Sequence, residues 1–416
     1  MTKLIFFISI FFVLCMSNNG FAKDIKTYAI SQNVFKKVSI ANKFINLEQF
    51  DEAKTVLTEL FERRLSKYEK AQIWYMLASI SYQVSDIPDA FSSFKHVLEF
   101  EGDIPESLLL GTLRTLAQLA MMEGSFKQAT AFSEKLIDIG LIPHAGDHAL
   151  LAQAYYKVGL MDKAVITIER SRKITEEALK PPKENVMVLQ NAIYFSKKYL
   201  TKIVTTLNTL VEYYPKPSYY IFLASIHGQL DQINKQTIIM ESLYEKGHLT
   251  KGSLLTNLAS LYLSEKVPFK SAVLLEKEIS AGNIKQSKRH YQMLSQAWRL
   301  AAEDQKALSA LGKAAELDKD GDLYVKKAYL HYDLAEWTNA KKAIKLALNK
   351  GISEDKIKGE TWLLLGMVQF NLLAYDKAIE ACQSAAKYTK STRLAERWIK
   401  YIVSEQSKFE LMQVSP

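Results

Sequence analysis

Cysteine is nearly absent from this sequence, which has two in 416 residues. Only Cys382 lies beyond the first 22 residues, so an intramolecular disulfide is excluded for the rest of the chain. Cys382 falls at an apolar position of a helical pattern. This placement indicates a small buried side chain rather than a reactive thiol.

Glycine and proline are also sparse, with 16 and nine residues, and no segment sustains the alternation of a half-buried strand. These absences predict an almost entirely helical protein. The sequence contains no glycine-rich phosphate loop, no GxSxG and no Cys/His dyad. We therefore expect no enzyme activity and no cofactor, and no small-molecule substrate bound directly.

Histidine and acidic clusters give no convincing metal site. His144 and His148 are four residues apart in HAGDH, but no Glu base adjoins them, and His144 is expected to precede a helix. The segment 318–322, DKDGD, resembles part of a calcium loop. It lacks the Glu at position twelve, so we interpret it as a turn with Asp322 near a helix start.

Long apolar runs are missing except near the start of the chain. Lys3 precedes a mainly apolar run of thirteen residues, 4–16, and Gly20-Phe21-Ala22 has the small-x-small pattern of a cleavage site. Residues 1–22 are therefore predicted to be a signal peptide, which places the mature protein in the periplasm. The alternative is a retained membrane anchor, but the run is shorter than the roughly 20 residues that a spanning helix needs.

The net charge of +9 is spread along the chain rather than collected in one tract. Nucleic acid is not an expected partner outside the cytoplasm. Such charge could favour acidic partner segments or anionic membrane surfaces, or it could simply solvate helix faces.

A repeating unit is what the sequence does have, clearest in residues 362–386. If Gly366 is position eight of a helix-turn-helix, then Trp362 is fourth, Tyr375 seventeenth and Ala378 twentieth. This order of large and small residues resembles the tetratricopeptide repeat (TPR). The small residues allow the two helices to cross closely, and such a unit must stack on copies of itself.

The twentieth-position anchor recurs at intervals of 33 to 39 residues. We therefore predict an all-α, TPR-like α-solenoid, a right-handed superhelix of about ten repeats with a C-terminal capping helix. The anchors are Ala53, Ala90, Ala129, Ala164, Ile203, Gln236, Ala272, Ala307, Ala340 and Ala378.

Several irregularities subdivide the array. Pro181 and Pro182 form either a hinge between two halves or a long loop, and we set the domains at 23–180 and 181–390.

The fifth and sixth repeats are degenerate, and the seventh needs one extra residue near Val267 to keep Ala272 in phase. Residues 391–416 are expected to form the capping helix and a frayed tail from residue 404.

The first helix of a TPR lines the concave face through positions two, five, nine, twelve and thirteen. Aromatic and amide side chains recur there, which suits an extended peptide or a helix. The alternative is that the position-twelve rings pack against the next repeat and belong to the core. The candidate groove residues are Tyr75, Tyr82, Arg114, Gln118, Gln153, Tyr156, Phe195, Gln296, Arg299, Tyr332 and Phe370.

Four segments carry a family resemblance: DIKTYAISQNVFKKV at 24–38, PKEN at 182–185, KGHLTK at 246–251 and RWIKYI at 397–402. Behind a signal peptide and joined by irregular TPRs, they resemble periplasmic TPR proteins of marine gammaproteobacteria associated with TonB–ExbB–ExbD systems. The resemblance implies a non-catalytic accessory of TonB-dependent uptake, such as iron–siderophore import, with TonB or ExbD as partners. The alternative is an envelope-assembly or secretion adaptor handling outer-membrane proteins, pili or polysaccharide machinery.

Overall fold

The computed structural model describes residues 28–142 and 144–414, so the predicted signal peptide lies outside the described residues. These residues are helical throughout, with no strand. They form two compact units, the first ending at Lys197 and the second beginning at Lys198.

The first unit contains nine α-helices and two short 3₁₀ helices within residues 28–142 and 144–197. They are α1 (Gln32–Asn46), α2 (Phe50–Thr58), 3₁₀ Glu59–Glu62, α3 (Lys67–Gln83), α4 (Ile87–Leu98), 3₁₀ Glu101–Asp103, α5 (Glu106–Met122), α6 (Phe126–Ile139), α7 (Ala145–Lys157), α8 (Met161–Glu177) and α9 (Glu184–Ser196).

The second unit contains twelve α-helices within residues 198–414. They are α10 (Leu200–Tyr213), α11 (Pro217–Gln229), α12 (Ile233–Glu245), α13 (Gly252–Ser264), α14 (Pro268–Ser280), α15 (Lys288–Leu300), α16 (Asp304–Glu316), α17 (Asp322–Asp333), α18 (Trp337–Lys350), α19 (Asp355–Asn371), α20 (Tyr375–Ala386) and α21 (Thr392–Val414).

Consecutive helices pack in pairs within each unit, α1 with α2 through α7 with α8, and α11 with α12 through α19 with α20. We call the odd-numbered helices α1–α19 the A helices and the even-numbered helices α2–α20 the B helices. This pairing confirms the predicted all-α, TPR-like fold.

The turn from A helix to B helix is the same in every described repeat. One residue in it has a φ between 55° and 82°, seven residues after position eight. A left-handed residue there ends the A helix and reverses the chain. These residues are Glu48, Ser85, Gly124, Gly159, Lys198, Asp231, Lys266, Ala302, Ala335 and Leu373.

The constant turn corrects the predicted register of the seventh repeat. Lys266 occupies the left-handed position seven residues after Ala259, so no extra residue is inserted. Position twenty is therefore Ser271, whose Oγ donates to the carbonyl of Ala259 at 2.8 Å. Ala272 is buried next to it, and two adjacent small residues made the sequence ambiguous.

The small residue at position eight packs as the repeat pattern predicts. A Cβ added to Gly366 would lie 2.4 Å from Sγ of Cys382 and 3.2 Å from the carbonyl oxygen of Ala378. Cys382 is fully buried, and burial raises the pKa of its thiol to about 11. The thiol is therefore part of the helix crossing, in agreement with the core interpretation.

The loop that carries Pro181 and Pro182 connects α8 and α9, which pack against each other in the first unit. The division between units lies further along, after Lys197. The domain boundary at 180 and a hinge role for the two prolines stay predictions.

Helix α21 packs against α19 and α20, in the place of a capping helix. It continues to Val414, beyond the predicted end, because Phe409 packs 5.7 Å from Tyr375 and Gln406 Nε2 donates to Asp376 Oδ1 at 3.2 Å. Its buried side chains include Ala395 and Ile402, whereas Leu394 is 49% exposed.

Candidate peptide-binding surface

Neighbouring A helices of the first unit lie side by side. Arg114 on α5 donates to both carboxylate oxygens of Asp147 on α7, at 2.6 Å from Nε and 2.7 Å from Nη2. Near the start of the row, the amide of Ser31 donates to Glu69 Oε1 on α3 at 2.8 Å. These bonds fix the spacing of the A helices. They therefore also set the spacing of the exposed side chains on those helices.

Two predicted groove residues serve this packing instead of a free surface. The bidentate pair occupies the Arg114 guanidinium, and the hydrogen bonds to Asp147 raise the pKa of Arg114. Tyr75 is half-buried against Phe94, with ring centroids 5.4 Å apart, and burial raises the pKa of Tyr75. Both side chains are therefore engaged within the first unit, and the Arg114 side chain remains 39% exposed.

The other predicted residues of the first unit reach the surface. Tyr82 and Phe195 are each 49% exposed, and Tyr156 is half-buried. Gln118 and Gln153 are exposed on α5 and α7. Their amide groups are accessible to solvent, and the peptide groove that would include them stays a prediction.

Three further apolar side chains at the same helix ends were missed by the sequence interpretation. Leu47 is 68% exposed, Met122 is 63% exposed and Val84 is 45% exposed. They occupy positions thirteen or fourteen, just past position twelve, and their repeated apolar character was the available signal. We call this set the unit 1 apolar row: Leu47, Tyr82, Val84, Met122 and Phe195.

A hollow of about 460 Å³ lies at the same helix ends, between the turn after α5 and the end of α7. Lys157 lies beside it, with Nζ 5.7 Å from the ring centroid of Phe126. Its lining residues are Gly124, Ser125, Phe126, Lys127, Gln128, Lys157 and Val158.

Most candidates of the second unit are engaged by their neighbours. Arg299 Nη2 pairs with Asp333 Oδ2 at 3.0 Å, and Tyr332 packs on Trp337 with centroids 5.0 Å apart. Gln296 is exposed on α15.

Phe370 is surrounded by three aromatic rings, at centroid distances of 5.4 to 6.0 Å from Tyr375, Trp398 and Tyr401. The half-buried rings of Tyr332 and Phe370 therefore pack against neighbouring side chains. A peptide groove along position twelve stays a prediction.

Residues considered for metal binding have structural partners. Asp318 accepts from Lys288 Nζ at 2.5 Å, and Asp320 Oδ1 accepts from the amide of Asp322, where α17 begins. His144 precedes α7, as predicted. Burial is the main cause that lowers the pKa of His148. Across residues 28–142 and 144–414, no three His, Cys, Asp or Glu side chains are grouped to hold a metal ion.

Across the same described ranges, every helix is too short or too polar to cross a bilayer. This observation concerns the described helices alone, and the predicted anchor alternative at residues 4–16 lies outside them.

No protein-family model matches the sequence, and no curated protein matches it. Among solved structures, the chain is similar to the C-terminal part of a TPR repeat-containing protein from Cytophaga hutchinsonii, with 16% identity over 59% of this chain and 97% of that chain, and a TM-score of 0.40. It is similar to YrrB, described as a TPR protein with an unusual peptide-binding site, with 15% identity over 47% of this chain and 97% of that chain, and a TM-score of 0.36.

A third similar structure is the TPR2AB domain of yeast Sti1 in a pHSP90 complex, with 14% identity over 62% of this chain and 98% of that chain, and a TM-score of 0.31. These identities and TM-scores are low. The fold is defined by the helix pairs and turns of the chain itself.

Proposed function

We propose that this protein is a non-catalytic interaction scaffold that binds an extended segment of a partner protein along the unit 1 apolar row. One observation carries the proposal: large apolar side chains, each at least 45% exposed, end the A helices α1, α3, α5 and α9. A folded chain gains nothing from leaving such side chains in water, and a series of them is typical of an interaction site.

Gln118 and Gln153 complement the row, since their exposed amides can bond the backbone of an extended segment. The apolar side chains supply contact area, and the amides orient the bound chain. A partner segment with apolar side chains and a free backbone fits this chemistry.

For the cellular role, we propose an accessory of TonB-dependent transport in the periplasm, with periplasmic regions of TonB or ExbD as partners. The four segments that resemble TonB-associated TPR proteins support this role, together with the predicted signal peptide at residues 1–22. The second candidate is an envelope-assembly or secretion adaptor, which the same exposed row would also serve.

The two roles differ in what the protein binds in cells. A C-terminal affinity tag, crosslinking in intact cells and mass spectrometry should recover TonB, ExbB or ExbD with the wild-type protein. Recovery of outer-membrane assembly or secretion components, without TonB proteins, would favour the second role.

The location of the site is tested in the same experiment by Tyr82→Ala combined with Met122→Ala. Because Tyr82 is 49% exposed and Met122 is 63% exposed, this variant should lose the partner while its melting temperature changes little. The matched control is Ile166→Ala, an apolar residue of α8 that is 69% exposed. Equal recovery by the double variant would place the site elsewhere.

The physiological role is tested by deleting the gene. Slower growth under iron limitation, with normal outer-membrane proteins and surface polymers, is expected for a TonB accessory. Unaltered siderophore-dependent growth and transport would count against that role.

A further inference from the structure

Helix α18 differs from the other B helices in its charge. Its sequence, WTNAKKAIKLALNK, contains four lysines and no acidic residue. Each of the other nine B helices within the described residues contains at least one Asp or Glu. The surrounding second unit is also basic, since residues 198–416 contain 31 Lys or Arg and 23 Asp or Glu, a net charge of +8.

The lysines of α18 share the face that points away from the protein interior. Four residues bury the opposite face: Ala340, Ala343, Ile344 and Ala347. At 100° per residue, Lys341, Lys342 and Lys345 fall within an arc of roughly 100°. Leu346, which is 50% exposed, borders this arc.

Three of the four ammonium groups have neither a hydrogen bond nor an ion pair within the described residues, and the fourth bonds only to backbone carbonyls. Lys350 Nζ donates to the carbonyls of Ala315 at 2.9 Å and Glu316 at 3.3 Å. Lys341, Lys342 and Lys345 form no ion pair within the part of the chain that the structure describes. Lys342 and Lys345 are exposed and Lys341 is half-buried, and none of the three is paired with a carboxylate in the described part of the chain.

This surface does not have the composition of a protein interface. The centres of such interfaces are enriched in aromatic residues and Arg and depleted in Lys. The exposed face of α18 holds lysines with Thr338, Asn349 and Leu346, and no aromatic residue or Arg. Lysine, a flexible point charge, suits a diffuse anionic surface, where no fixed geometry is needed.

We propose that the outer face of α18 docks on an anionic phospholipid surface through Lys341, Lys342 and Lys345, with Leu346 contacting the headgroup region. A basic helix face with a neighbouring apolar residue is attracted to anionic lipid, and the attraction falls with added salt. The site lies in the second unit and is independent of peptide binding by the unit 1 apolar row.

Co-sedimentation of the full chain with vesicles tests the proposal. Vesicles of phosphatidylcholine with phosphatidylglycerol should retain the protein at low salt and release it at high salt, and vesicles of phosphatidylcholine alone should not bind it. Each lysine near an anionic surface contributes roughly a fivefold change in partitioning, so the Lys341→Gln, Lys342→Gln, Lys345→Gln variant should bind about a hundredfold more weakly.

Two controls separate this site from net charge. Lys36→Gln, Lys43→Gln, Lys70→Gln removes the same charge from the first unit and should bind as the wild type does. The Lys341→Arg, Lys342→Arg, Lys345→Arg variant keeps the charge and should also bind the vesicles. Equal loss in both glutamine variants, or no loss in the α18 variant, would overturn the proposal. Binding to polyglutamate without binding to the vesicles would also overturn it, in favour of an acidic protein partner.

Discussion

Tyr155 Oη donates a hydrogen bond to Glu134 Oε1 at 2.6 Å, which joins α7 to the B helix of the preceding repeat. Lys163 Nζ lies 5.2 Å from the centroid of the Tyr155 ring and 3.7 Å from the same carboxylate. The three side chains thus form a connection between consecutive repeats.

The same connection recurs in the second unit. Tyr262 is hydrogen-bonded to Glu241, and Lys270 Nζ lies 2.6 Å from Glu241 Oε1 and 5.7 Å from the centroid of the Tyr262 ring. The Tyr, Glu and Lys occupy the same positions of their repeats in both units. A solenoid is held together by contacts between neighbouring repeats, so this connection should contribute to stability.

Tyr155→Phe removes the hydroxyl and leaves the ring in place. The lost hydrogen bond to a half-buried carboxylate should lower the free energy of unfolding by about 1 kcal/mol. Urea unfolding monitored by circular dichroism measures this free energy. Tyr82→Phe, at an exposed ring, is the control and should change nothing; an equal loss in both variants would contradict the role of Glu134.

Stability should also fall at high pH through the same tyrosines. Burial raises the pKa of Tyr155 and of Tyr262, and the carboxylates of Glu134 and Glu241 raise them further. In the unfolded chain a tyrosine ionises near about pH 10. The contribution is therefore complete below about pH 10 and is lost as the pH rises towards the raised folded value, by at most about 1.4 kcal/mol per tyrosine per pH unit.

Comparison of the wild type with a Tyr155→Phe, Tyr262→Phe variant isolates this effect. Between pH 9 and pH 11 the variant should lose less unfolding free energy than the wild type, because two of the titrating groups are gone. Parallel pH profiles would show that these tyrosines do not titrate differently on unfolding.

Asn191 stands at position eight of the fifth repeat, where seven other repeats have alanine. It is 3% exposed, and neither polar atom of its amide has a hydrogen-bond partner among the residues that the structure describes. Asn191→Ala should therefore raise the free energy of unfolding by about 1 kcal/mol. Gln190→Ala is the control and should be destabilising, because Gln190 Nε2 donates to Tyr194 Oη at 2.9 Å. A less stable Asn191→Ala variant would contradict this account of the amide.

Gly366→Ala tests the helix crossing that defines the repeat. The added Cβ would lie 2.4 Å from Cys382 Sγ, and overpacking of this kind costs about 1–3 kcal/mol. Adding Cys382→Ala removes that sulfur and should restore part of the loss. If the effects of the two substitutions simply add, removing the sulfur gives no relief. The strain would then lie against the backbone of Ala378 instead.

The sequence predicted the repeats well because their anchors are set by local packing. The positions that Gly366 and Ala378 occupy must hold small residues in each repeat, because two helices cross there. Small residues at this spacing therefore predict the repeat. Adjacent Ser271 and Ala272 are both small, and only the turn geometry at Lys266 distinguishes them. The length of α21 depends on contacts of Phe409 and Gln406 with α20, which no local pattern encodes.

Which position-twelve rings are exposed could not be predicted, because the exposure of a ring depends on the next repeat. Tyr82 and Phe370 both occupy position twelve. Phe370 meets Trp398 and Tyr401 of α21, whereas Tyr82 remains 49% exposed. Arg114 was assigned to the groove because it occupies position five. Its ion pair was not foreseen, since Asp147 lies 33 residues away on another helix.

The most direct test of the scaffold is site-specific photo-crosslinking in living cells. A photoreactive amino acid replaces Met122 in the unit 1 apolar row, or Ile166 on α8 as the control; both side chains are more than 60% exposed. We expect Met122 to give a discrete crosslinked product containing TonB or ExbD, and Ile166 to give none. The same products from both positions, or none from Met122, would contradict partner binding along the unit 1 apolar row.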